Sequence, residues 1–289
     1  MTPSKYGPFA YSAIIDRPAL RWPNGARIAL LVAPNIEYFH LDLPLQGVAE
    51  PNVAAWAERD YGNRVAVFRM MEVFDRHGLR ATVCLNSDVC KYHPRIIEEG
   101  MKRRWEWMGH GLTNSSFPCD RPKDEQRALV RECLDTIAKS TGARPKGWLG
   151  PGLRENWDTL DILAEEGIEY VCDWCNDDQP VNMTLESGKK LVAVQYSQQL
   201  NDFGVFLRQM RTPEEFRDMI CRSFDVLLRE AEKADTAKVM TIALHPFITG
   251  IPHRIDALDA ALEHVCRSDN VWKTTGSEIV AAYRAQVRD

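Results

Sequence analysis

The chain is 289 residues long, 45% hydrophobic and formally −5 at neutral pH, enough to bury one large core. No basic or basic-plus-aromatic stripe suggests a nucleic-acid groove, no apolar run approaches the roughly 18 residues of a membrane span, and no leader-like segment precedes the first strand. The expectations are therefore a cytoplasmic protein with a small-molecule substrate, no nucleic acid and no membrane. Eight cysteines, mostly inside apolar runs, read as reduced, and the single CDWC at Cys172 and Cys175 has no second pair to complete a zinc site.

Residues 1–24, rich in Pro, Tyr and Ser, form an arm expected to wrap over the body or a neighbouring subunit; residues 25–289 form one domain. This arm and Trp56 suggest a homo-oligomer. Ile28 to Ala33 fits a strand buried on both faces, followed at once by Pro34, Asn35, Glu37 and His40. Leu41 to Gly62 reads as an irregular lid or substrate wall, and Asn63 as the cap of a helix running to about His77.

Strand and helix then alternate. Strands are expected at Leu79 to Leu85, Trp105 to Met108, Gly147 to Leu149, Ile168 to Trp174, Leu191 to Tyr196 and Val239 to Leu244, with a short one at Val271 to Lys273. Helices are expected at Pro94 to Arg103, Pro122 to Ser140, Thr159 to Glu166, Thr212 to Lys233, Arg254 to Arg267 and Ser277 to Arg288. Seven or eight strands alternating with helices predict an α/β fold, a distorted parallel (β/α) barrel.

Polar residues gather at the strand ends, which converge on one face of such a barrel. They are Asn35 and Glu37 after the first strand, His110 and Asn114 after the third, Gly150 to Gly152 after the fourth, Asp173 to Asp178 after the fifth and His245 after the seventh. A histidine at the position of His245 can protonate a departing nitrogen, which amide cleavage requires because an amine leaves poorly as an anion. Asp177 and Asp178 can orient a histidine, bind a substrate nitrogen or cap a turn.

In this order RWPNGARIAL, GHGLTNS, GWLGPG, VCDWCNDDQP and ALHPFITGIPHR resemble the polysaccharide deacetylase (NodB-homology) family, nearest its cofactor-independent allantoinases and cyclic-imide hydrolases. The resemblance implies a distorted (β/α) barrel that hydrolyses a carbon–nitrogen bond outside peptides. Metal-dependent members carry an Asp-Asp pair and a His-x-x-x-His, where this sequence has Glu37 with Tyr38 and His110 with Asn114. Their arginine near the fourth strand is also missing, with Arg154 close enough in sequence to substitute. A hydrolytic zinc normally keeps three protein ligands, so the departures imply no metal and an activated carbonyl in a small cyclic amide, imide or ureide. Glu37 is then the general base, His245 the acid, His110 and Asn114 hold the water or oxyanion, and Asn35, Trp174 and Asp177 contact substrate. The alternatives are an N-deacetylase of a soluble saccharide using a zinc-like ion held by Glu37 and His110, or an inactive binding barrel. No roles are assigned to Asp178 and His253.

Overall fold

The structure, a computed structural model, describes residues 7–43 and 52–287. Its strands, in chain order, are β1 (Ile28–Ile36), β2 (Thr82–Leu85), β3 (Glu106–Gly109), β4 (Gly147–Trp148), β5 (Tyr170–Val171), β6 (Val181–Thr184), β7 (Lys190–Ala193), β8 (Lys238–Leu244) and β9 (Val271–Lys273). β1 is the hub and is buried throughout. One edge pairs with β8 from Ile28 to Pro34; the other is shared, with β9 at its start and β2 at its end. The sheet then runs from β2 through β3, β4, β5 and β7 to β6. Among the described residues only the β6–β7 pairing is antiparallel, and β6 is a strand the sequence pattern did not reveal.

Alternation along β1 separates two apolar layers. Ile28, Leu30 and Val32 pack in the larger cluster with helix residues such as Phe74, Ile220 and Leu258. Ala29, Leu31 and Ala33 face the inside of the curl with Cys84, Met108, Leu149 and Val194. All eight cysteines are free thiols.

The result is a curled, mostly parallel half-barrel. The outer edge of β8 is met by irregular chain: Val239 N–H donates to Asp178 O at 2.8 Å, Ala243 N–H to Leu200 O at 3.0 Å, and the Thr241 hydroxyl to Gln195 O. The N-terminal arm lies along this gap. Ala237 N–H donates to Leu20 O, Phe9 meets Trp174 edge-on at 5.5 Å, and Arg17 grips Asp177 at 2.8 and 2.5 Å. Arm and gap together line an open cavity of 1390 Å3.

One correction concerns the expected loop. Residues 44–51 lie outside the described residues, but Val53–Tyr61 is a helix whose N-cap, Asn52, accepts the Ala55 N–H at 2.9 Å. It continues through a π turn, Gly62–Ala66, into the helix Val67–Arg76. Asn63 is therefore no cap; it sits inside continuous helical chain with its side chain free for other work. No residue of Val53–Tyr61 is fully buried, which explains why no apolar period marked it.

Candidate active site

Glu37 is the first residue after β1 and is buried. Its main-chain carbonyl accepts from Asn63 Nδ2 at 2.8 Å, so the π turn fixes where the strand ends. Its carboxylate Oε1 accepts from Asn114 Nδ2, and lies 3.4 Å from His110 Nε2 and 3.7 Å from His245 Nε2. Residues from three separate strand ends thus meet at one oxygen.

His245 follows β8 and is oriented from behind. Its Nδ1 lies 2.6 Å from Asp202 Oδ1, while the other Asp202 oxygen accepts from the His245 main-chain N–H at 2.7 Å and from the Thr249 hydroxyl at 2.6 Å. Asp202 has no exposed surface. Because Nδ1 donates to this carboxylate, Nε2 is the nitrogen turned toward Glu37. Burial alone would push the imidazole pKa down, but the charges of Asp202 and Glu37 hold it above the ordinary histidine value. Burial would likewise push the Glu37 carboxyl up, yet the charge of His245 and the nearby His110 hold it below the usual carboxylate value. The two shifts run in opposite directions, favouring the proton on His245 and its absence from Glu37.

The orientation of the remaining amides follows from a main-chain donor. Tyr38 N–H gives to Asn86 Oδ1 at 2.9 Å, so Asn86 Nδ2 is left to donate, and it does so to His110 O and to Asn114 Oδ1. Asn114 must then turn its own N–H toward Glu37. His110 Nδ1 donates to Leu149 O at 2.7 Å, leaving its buried Nε2 facing Glu37 without a good hydrogen bond. The next atom of that peptide group, Gly150 N–H, donates to Asp173 Oδ1 at 2.8 Å. Asp173 is pushed by burial up to about 7, and Glu155 is raised by burial and by the charge of Asp173.

The other expected site residues lie elsewhere. Asn35 is buried with its amide on Tyr196 OH at 2.7 Å and Leu244 O at 3.1 Å. Trp174 donates to Glu155 at 3.2 Å. Asp177 lines the arm cavity, whose wall includes none of Glu37, His110 and His245. Asp178 takes Lys238 Nζ at 2.9 Å, and His253 is exposed on the helix Pro252–Cys266. Arg154 is not drawn to the centre: it pairs with exposed Asp120 at 2.5 Å and lies over Phe117. A different cation is near. Arg59, on the helix the sequence reading missed, lies between the rings of Phe39 and Phe247 at 4.8 and 5.0 Å.

Residues 56–171 match the family model of polysaccharide deacetylases. A Schizosaccharomyces pombe protein whose name places it in that family is 23% identical over 300 residues, covering 92% of each chain. Among solved structures, a probable polysaccharide deacetylase from Pseudomonas aeruginosa superposes with TM-score 0.83 at 25% identity, over 93% of this chain and 95% of that one. The PuuE allantoinase does so with TM-score 0.82 at 26% identity, over 94% and 95%. Over residues 56–171 this chain carries a match to the polysaccharide deacetylase family, and its fold is similar to that of the two solved structures over nearly its whole length. It is a hydrolase of carbon–nitrogen bonds other than peptide bonds, on the half-barrel that family shares.

The metal site of metal-dependent deacetylases does not fit the donors present. At the second carboxylate position Tyr38 stacks on Tyr92 at 4.6 Å, and at the second histidine position Asn114 points an N–H inward while its oxygen is taken by Asn86. Among the described residues no group of three or more His, Cys, Asp or Glu side chains is placed to hold an ion. Sequence reasoning missed Asp202, Arg59 and Asn63. Asp202 precedes the π-helical run Phe203–Arg208 and so reads as an ordinary helix-starting acid, and nothing in sequence ties it to His245.

Proposed function

We propose that this enzyme opens a small cyclic amide, imide or ureide by metal-independent acid–base catalysis, with Glu37 as base and His245 as acid. The observation that carries this reading is the convergence of Glu37, whose carboxyl is held below its usual value, and Asp202-backed His245, whose imidazole is held above its own, with Nε2 3.7 Å from the Glu37 carboxylate. Glu37 takes a proton from water, and the hydroxyl adds to the ring carbonyl carbon. His245 Nε2 then gives its proton to the ring nitrogen as the C–N bond breaks, and the proton held by Glu37 returns to His245. His110 Nε2 and the Asn114 N–H beside Glu37 orient the water. A strained or conjugated ring carbonyl suits a site that relies on hydrogen bonds rather than a Lewis acid, and the allantoinase among the structural neighbours supports the same bond class.

The test is an assay on hydantoin, succinimide and related rings before and after chelation, with Glu37→Gln beside the wild type. Ring opening that survives chelation and falls at least about 100-fold in Glu37→Gln, with an unchanged melting temperature, is expected. Activity abolished by chelation, or untouched by the substitution, sinks the reading.

A further inference from the structure

Arg59 is a half-buried cation with unfinished bonding. Its guanidinium is held between Phe39, two residues past Glu37, and Phe247, two residues past His245. Nη1 donates to Ala55 O at 2.9 Å, but the buried Nε has no hydrogen-bond partner, and no ion pair joins Arg59 to any described residue. Burial disfavours the charge, while Glu37 and Glu58 favour it without contact; the charge is felt in turn at Glu37 and His245. Taking a guanidinium out of water without an anion is costly, and a buried donor left open calls for an acceptor. The family arginine near β4 is absent and Arg154 is engaged elsewhere, so Arg59 is the cation beside the base.

We infer that Arg59 receives the oxygen of the scissile carbonyl, as the oxyanion of the tetrahedral intermediate and then as part of the carboxylate of the opened ring. The inference rests on the ring-opening function proposed above. One reaction needs an anion-stabilising group at one place: water adds to the carbon, the C=O electron pair moves to oxygen, and that oxygen stays on the product as carboxylate. The two rings confine the guanidinium plane, so little side-chain freedom remains to be lost when the oxygen arrives. Without a Lewis acid, a fixed cation in a water-poor site is the strongest remaining stabiliser of that charge.

The experiment compares wild type, Arg59→Met and Arg59→Lys. It measures kcat and KM on the rings opened by the wild type, the inhibition constant of the opened-ring acid hydantoic acid, and the melting temperature. Arg59→Met should lose about 100-fold or more in kcat with KM changed far less. Its inhibition constant for hydantoic acid should rise about tenfold or more, and Arg59→Lys should recover part of both. A purely structural role would lower the melting temperature and leave the inhibition constant of the folded fraction unchanged, which overturns the inference. If Arg59→Met does not fold, Arg59→Lys decides: wild-type kcat and inhibition constant overturn it, and losses in both support it. A wild type inert toward every ring removes the function reading itself, whereas an active wild type with an equally active Arg59→Met removes only the role of Arg59.

Discussion

For single residues, the chemistry depends on which proton each group holds, and Asp202 sets that for His245. Its carboxylate holds the imidazole pKa above the ordinary 6.5, and His245 in turn helps hold Glu37 below 4.5. The expected rate profile is therefore a bell whose acid midpoint lies below pH 4.5, where Glu37 gains a proton, and whose alkaline midpoint lies above 6.5, where His245 loses one. Asp202→Asn removes the charge that raises His245, so the alkaline limb should move to lower pH and kcat should drop about 100-fold or more. An alkaline limb that stays in place under Asp202→Asn would remove His245 from the role of acid. Glu37, His110 and His245 were legible because each ends a strand, and that position carries meaning in a parallel fold. Asp202 ends no strand and had no such marker.

Among the elements, the helix Val53–Tyr61 and its π turn do more than cover the barrel. They supply Arg59, and through Asn63 they pin the Glu37 carbonyl. The turn passes so close to the helix Pro246–Thr249 that a Cβ on Gly62 would lie 2.9 Å from Phe247 N and Cβ. Gly62→Ala must push one main chain away from the other, at a cost of about 1–3 kcal/mol and a melting temperature lower by several degrees. Turnover should fall further than stability, because Phe247 flanks both Arg59 and, at 5.8 Å between rings, His245; calorimetry with an assay on the same sample checks both. This element escaped sequence reasoning because its contacts are made by single residues and not by a face. The helix Pro213–Lys233 was legible from its Thr212–Glu215 capping box and its Pro.

For the whole molecule, the half-barrel is completed by chain that is not strand. β8 takes partners from Asp178 and Leu200, and the arm straps the gap through Arg17 and Asp177, whose side chains are 17% and 11% exposed. Replacing Arg17 with Ala should cost about 1 kcal/mol and speed hydrogen exchange in residues 9–20, while β1 amides keep their protection; equal protection in the arm would mean that the strap is held by its apolar contacts alone. The alternation of strands and helices, the central place of β1 and the strand ends at which Glu37, His110, Asn114 and His245 gather can all be read from the residues in order, because period and burial are local properties of the chain. The folded chain alone shows that Asp177 faces Arg17 and not Glu37, that Asp202 backs His245, and that Arg59, not Arg154, lies between Phe39 and Phe247. Those pairings depend on how far the sheet curls and where loops cross it, and side chains brought together from distant segments leave no period in the sequence.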